Sequence, residues 1–91
     1  MEIKYFAYLR NDSHCKEESV PGSSSAIALL QFLAEKHGSE LRQHILSDDG
    51  QEIHPDLIFL VDGRHVEFME GKDTIISEDA VVSLFPRIAG G

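Results

Sequence analysis

One stretch of this 91-residue chain carries a helical period for three full turns, and it sets what the rest must do. Between Ala26 and His37 the residues Ala26, Ile27, Leu29, Leu30, Leu33 and Ala34 form one broad apolar stripe, while Gln31, Glu35 and Lys36 fall off it. Ser23-Ser24-Ser25 offers hydroxyl N-caps before it. Gly38 stands where a left-handed C-cap glycine is expected. A striped helix has to bury its stripe against another element. The other apolar segments are short and follow period two, so the partner is a sheet.

The strand segments can be placed in order. From Glu2 to Arg10, Ile3, Tyr5, Ala7 and Leu9 share one face of a strand, with Phe6 and Tyr8 on the other. Asn11 to Cys15 is turn chemistry. Lys16 to Val20 is a short polar edge strand that Pro21-Gly22 ends. After the helix, Ser39 to Leu46 holds another turn or two, with Leu41, Ile45 and Leu46 inward. Leu57 to Val61 is uniformly apolar, the mark of a strand buried on both sides or central in a sheet. Asp62-Gly63 then leads into Arg64 to Phe68 and predicts a type I′ hairpin, because both central residues of that turn need positive φ. Thr74 to Ile76 is a short apolar piece, and Ala80 to Phe85 is a last strand stopped by Pro86. The order predicts an α+β fold, a mixed sheet of about four to five strands covered by one main helix. A chain of this length forms one domain, here residues 1–86, followed by a flexible tail, 87–91.

Charge and composition remove several functions. The formal net charge is −8, from 16 acidic against 8 basic residues. The basic residues are scattered, so no nucleic-acid partner is expected. No apolar run approaches the roughly 18 residues of a membrane span, so no membrane partner is expected either. The opening Met1-Glu2-Ile3-Lys4 lacks signal-peptide organisation, which points to a reducing cytoplasm. The single Cys15 excludes an internal disulfide and a cysteine-based zinc cage. The five histidines are dispersed, and Glu17-Glu18 and Asp48-Asp49 read as solvated loop charge, so no metal site is expected. Phosphate-loop and dinucleotide glycine patterns are missing, and the chain offers neither a bound cofactor nor a catalytic set of its own.

The end of the chain is the informative feature. Gly90-Gly91 follows an apolar strand and a proline. Glycine costs the most backbone entropy to order, so this pair cannot be there to stabilise the fold. It stays flexible, and without a Cβ it is thin enough to enter a narrow cleft. The α-carboxylate of Gly91 is then the functional group at the tip. A carboxylate is a poor electrophile; adenylation activates it, and a sulfur or amine nucleophile can displace the adenylate.

Four segments in order carry a resemblance to the MoaD/ThiS sulfur carriers. Lys4-Tyr5-Phe6-Ala7-Tyr8-Leu9-Arg10 resembles that family's first strand, and Ala26 to Gly38 its central helix. Leu60-Val61-Asp62-Gly63-Arg64 resembles its Val-Asn-Gly hairpin. Ser77 to Gly91, with Phe85-Pro86 and Ala89-Gly90-Gly91, resembles its ending, most closely that of the small subunit of molybdopterin synthase. The resemblance implies a ubiquitin-like β-grasp fold. It also implies that an activating enzyme of the ubiquitin-activating type uses ATP to adenylate Gly91 and that a sulfur donor converts it to a thiocarboxylate. The large subunit of molybdopterin synthase would then admit the tail Arg87-Ile88-Ala89-Gly90-Gly91, and sulfur would pass to a pterin precursor. The chain would be a non-catalytic carrier subunit. Carriage for cysteine or thiamine synthesis, conjugation to proteins through Gly91, and a plain interaction module with an idle tail are the other readings.

Strand alternation adds a docking surface. Val82 and Leu84 share one face of the last strand and Ser83 and Phe85 the other; the resemblance implies that Val82 and Leu84 face the helix, which leaves Phe85 on the open face beside Pro86. Phe85 with Phe59 or Phe68 would form an apolar patch next to the tail, although Phe59 and Phe68 are equally readable as core. Arg87 stands where the family commonly has proline. It is expected to meet an acidic group on the partner, and unchanged affinity in an Arg87→Pro variant would contradict that.

Overall fold

The computed structural model describes residues 1–87. The elements are β1 (Glu2–Tyr5), α1 (Leu9–Ser13), β2 (Glu17–Ser19), β3 (Ser24–Ser25), α2 (Ala26–His37), α3 (Ser39–Ile45), β4 (Leu57–Val61), β5 (Arg64–His65), β6 (Ile75–Ile76) and β7 (Val81–Pro86). Single 3-10 turns lie at Val66–Phe68 and Gly71–Asp73.

Five strands form one mixed sheet in the order β2-β1-β7-β4-β5. The central pair, β1 and β7, is parallel, with Ile3 opposite Val82 and Tyr5 opposite Leu84. The other pairs in the sheet are antiparallel. Parallel neighbours need a long crossover, and the helix α2 supplies it. Its buried residues Ala26, Leu29, Leu30, Leu33 and Ala34 join Ile3, Tyr5, Phe59, Val82 and Leu84 in a single core. Val82 and Leu84 therefore do face the helix. A second small sheet pairs β3 with β6 and fixes the start of α2.

The ends of α2 follow from local chemistry. The Ala28 N–H donates to the Ser25 hydroxyl at 3.3 Å, satisfying one orphan donor of the first turn. Gly38 closes the helix at φ 103°, a value that favours glycine, although its ψ of −172° is more extended than a left-handed cap. The same residue is the N-cap of α3, so the two helices are separated by one residue. Leu41 and Ile45 of α3 are buried, as the pattern predicts.

The first strand is shorter than its alternation predicts. It ends at Tyr5; Ala7 takes φ 54°, and Leu9 to Ser13 turn into a short helix. Leu9 is still fully buried, but it gets there from the helix. Tertiary contacts outweigh the strand pattern here. The Arg10 guanidinium Nε–H donates to the Tyr5 carbonyl at 2.9 Å, and buried Asp12 on α1 pairs with His44 on α3 at 2.7 Å. The hairpin after β4 has the expected turn, with φ 50° at Asp62 and 87° at Gly63. Asp62 also locks the turn onto β7: its N–H donates to the Val81 carbonyl at 2.8 Å, and its Oδ1 accepts from the Val81 N–H at 2.8 Å. The returning strand is only Arg64–His65, after which the chain enters the 3-10 turn.

Among the described residues, no helix is long and apolar enough to cross a membrane.

Candidate functional site

The site of interest is the end of β7, the last strand before residues 88–91. Pro86 is buried and paired with Leu57, and the Arg87 N–H donates to the Asp56 carbonyl at 2.7 Å. The chain is thus held in place up to Arg87, whose side chain is exposed. Ile88, Ala89, Gly90 and Gly91, expected to form the reactive tail, lie outside the described residues.

Beside this exit lies a partly buried apolar surface on the face of the sheet away from α2. Phe85 stacks on Phe6 with ring centroids 4.2 Å apart and planes 7° from parallel. Ile58 is the cross-strand neighbour of Phe85. The Arg10 guanidinium carbon sits 5.5 Å from the Phe6 ring centroid, within cation–π range. The surface therefore contains Phe85 as expected, next to Pro86. It also contains Phe6, which the sequence reading left out. Phe6 was legible in principle, since the alternation that buries Ile3 and Tyr5 puts Phe6 on the opposite face, where Phe85 also points.

The other two aromatics do not join this surface. Phe59 is fully buried in the core, so of its two readings the core one holds. Its neighbours in β4 alternate, with Leu57, Phe59 and Val61 inward and Ile58 and Leu60 partly exposed. Phe68 is 77% exposed, but it lies in the 3-10 turn rather than on a strand, with its ring edge-on to His65 at 6.2 Å. Sheet alternation therefore does not place it beside Phe85.

A second cluster lies at the opposite edge of the sheet. Glu18 on β2 was expected to be solvated, but its side chain is only 11% exposed. It accepts from the Tyr5 hydroxyl at 2.7 Å and from Lys36 Nζ at 2.5 Å, and it meets His37 Nε2 at 2.5 Å. Burial by itself would raise its pKa. The hydrogen bonds from Lys36, Tyr5 and His37 outweigh that and hold the carboxyl down at about 2. Burial, reinforced by the same carboxylate, pushes the Tyr5 phenol well above its ordinary value. It likewise raises the Cys15 thiol.

Comparison with known proteins decides what this architecture belongs to. The profile of the ThiS family matches residues 3–91, nearly the whole chain and the tail with it. This chain belongs to the ThiS family. A protein of Archaeoglobus fulgidus proposed to be a sulfur carrier is 36% identical over 63 residues, 69% of either chain. Among solved structures, SAMP1 (small archaeal modifier protein 1) of Haloferax volcanii superposes with a TM-score of 0.78 at 25% identity, covering all of this chain and 98% of that one. A Pyrococcus furiosus protein proposed as molybdopterin converting factor subunit 1 gives a TM-score of 0.72 at 22% identity, covering 96% of this chain and 95% of its own. At that identity the last likeness speaks for the fold alone. The mixed sheet wrapped on one main helix is thus the ubiquitin-like β-grasp. The chain is a ThiS-family, ubiquitin-like protein of the sulfur-carrier kind, and such proteins generally carry a group rather than catalyse its transfer.

Proposed function

We propose that this chain carries sulfur as a thiocarboxylate on Gly91 and delivers it to a pterin precursor in molybdopterin synthesis. The observation behind this reading is the family match, which runs through residue 91 and so spans the Ala89-Gly90-Gly91 ending. An adenylating enzyme of the ubiquitin-activating type uses ATP to turn the Gly91 carboxylate into an acyl adenylate. A sulfide-level donor displaces AMP and leaves a thiocarboxylate. Sulfur is then held in soft anionic form on an arm narrow enough for a partner's active site. The stacked Phe85–Phe6 pair, with Pro86 and Ile58, is the docking surface of this scheme, because it flanks the exit of the arm and presents aromatic area of the kind that dominates interfaces. The large synthase subunit is the partner that docks there. The preference for the pterin acceptor over cysteine or thiazole synthesis rests on the Phe85-Pro86 and Ala89-Gly90-Gly91 ending.

A second reading, conjugation of activated Gly91 to lysine amines, draws on the likeness to the Haloferax volcanii modifier protein. Reconstitution with ATP, an activating enzyme and a sulfur donor, followed by a large synthase subunit and pterin precursor, separates the two. Carriage yields dithiolene product from the loaded chain, whereas modification yields high-mass conjugates and no product.

Arg87 supplies a prediction on the partner side. An acidic group on the synthase would pair with its exposed guanidinium. Arg87→Pro is a poor probe, since proline also deletes the N–H that donates to the Asp56 carbonyl. Arg87→Gln keeps that bond. It should weaken partner binding by about 1 kcal/mol, close to fivefold, as expected of an ion pair at an interface rim. Calorimetric titration showing equal affinity for both forms would contradict the pairing.

A further inference from the structure

Cys15, Glu18 and His37 come from three separate segments and converge on one point. Cys15 is in the loop after α1, Glu18 is the middle residue of β2, and His37 ends α2. The Cys15 thiol sulfur, a Glu18 carboxylate oxygen and a His37 ring nitrogen all lie within 4.8 Å of one another. We propose that these three side chains form a binding site for Zn²⁺, with the fourth position left to water.

The donor chemistry selects the ion. One thiolate, one imidazole and one carboxylate are the ligand types of tetrahedral zinc, whereas Mg²⁺ and Ca²⁺ need mostly oxygen donors. Zn–S bonds are about 2.3 Å and Zn–N and Zn–O bonds about 2.0–2.2 Å, so tetrahedral donors sit roughly 3.3–3.6 Å apart. The Cys15 Sγ to Glu18 Oε2 distance is already 3.7 Å. The Glu18 Oε2 to His37 Nε2 distance is 2.5 Å and must open by about 1 Å, an adjustment of side-chain torsions.

The surroundings are arranged around the donors. Lys36 holds the other carboxylate oxygen, Oε1, and Oε2 is the oxygen that faces Cys15 and His37. Tyr5 donates its hydroxyl to Oε2 and sets its ring edge-on to the His37 imidazole, with centroids 6.0 Å apart. The Ser13 hydroxyl lies 3.8 Å from the Cys15 sulfur. Outer partners of this kind fix ligand orientation. All three ligand residues are half-buried, so an ion can reach them. Binding releases the Cys15 thiol proton to solvent; His37 gives up its bond to Glu18 and ligates through Nε2 as the neutral imidazole with its one N–H on Nδ1, and the thiolate and carboxylate together balance the charge of the ion. The sequence conceals the site because its donors are spread over 23 positions and only one of them is a cysteine. In the folded chain the ion would tie the edge strand β2 to the end of α2, and binding to the native state alone raises stability by mass action.

Titration of the untagged full chain with Co²⁺, a spectroscopic stand-in for zinc, tests the site. The expected result is one ion per chain, a thiolate-to-cobalt charge-transfer band, tetrahedral d–d absorption, and displacement of Co²⁺ by Zn²⁺ with a rise in Tm. Cys15→Ser should abolish the charge-transfer band and weaken Zn²⁺ binding at least tenfold, and His37→Gln should weaken it similarly. His54→Gln should change neither. Cys15→Ser alters one atom, so it decides the matter even if His37→Gln fails to fold. Lack of a charge-transfer band in the wild-type chain, or binding that survives Cys15→Ser, would overturn the proposal.

Discussion

Deleting Gly90 and Gly91 should abolish sulfur loading and transfer completely while leaving the thermal midpoint within about 1 °C of the full-length value. The two halves of this expectation have different causes. The last strand is anchored upstream of the cut, where buried Pro86 pairs with Leu57 and the Arg87 N–H donates to the Asp56 carbonyl. The core residues of β7, Val82 and Leu84, lie upstream of the cut and keep all their partners. The proposed carrier chemistry, by contrast, uses the α-carboxylate of Gly91, and the deletion moves the C-terminal carboxylate onto Ala89. A methyl-bearing terminus three residues beyond the proposed docking surface is both shorter and wider than the arm it replaces. Turnover with the activating enzyme and the synthase, set beside a thermal melt, reads both halves. A truncated chain that still transferred sulfur would remove Gly91 from the mechanism.

The largest structural effect is expected at Phe59. Its ring is fully buried in the middle of β4, in the same core as the apolar face of α2, and the strand pairs with β7. Phe59→Ala removes the ring's transfer energy and leaves a cavity, at a cost of about 3–5 kcal/mol. A domain of this size has a total stability of roughly 5–14 kcal/mol, so much of the margin goes. Phe68→Ala, at a side chain 77% exposed, should change stability by less than about 0.5 kcal/mol. Urea unfolding of the two variants measures the contrast through the midpoint at constant slope. Native stability for Phe59→Ala combined with lost partner binding would restore Phe59 to the docking surface and contradict the core assignment.

The parts of the fold that the sequence made legible are those whose signals are local. The helix Ala26–His37 has its expected limits because Ser25 caps one end and Gly38 must take positive φ at the other. The hairpin at Asp62-Gly63 is read from two residues that both adopt positive φ. The last strand is bounded by its own proline. What escaped detection depends on distant partners. Nothing near Ala7 announces that the strand stops at Tyr5. The short helix that replaces it gains from buried Leu9 and from the Asp12–His44 pair, whose members are 32 positions apart. Glu18 looks like one of two adjacent solvated carboxylates until α2 brings Lys36 and His37 against it. For Phe59, an apolar run without polar alternation does not say which face is inward. Of the candidate site, Phe85 and Pro86 were legible from strand parity, and Phe6 needed the parity of β1 to be applied as well. The tail residues Ile88 to Gly91 rest on the chemistry of glycine and on the family match.

The central claim is that Gly91 carries sulfur, and intact mass measures it most directly. The full chain is incubated with ATP, an activating enzyme of the ubiquitin-activating type and a sulfur donor, then weighed. The account predicts a species in which one oxygen has been replaced by one sulfur, located at Gly91 by fragmentation and missing when ATP is omitted. A chain that keeps its unmodified mass with every activating enzyme and sulfur donor of its own cell would contradict the account.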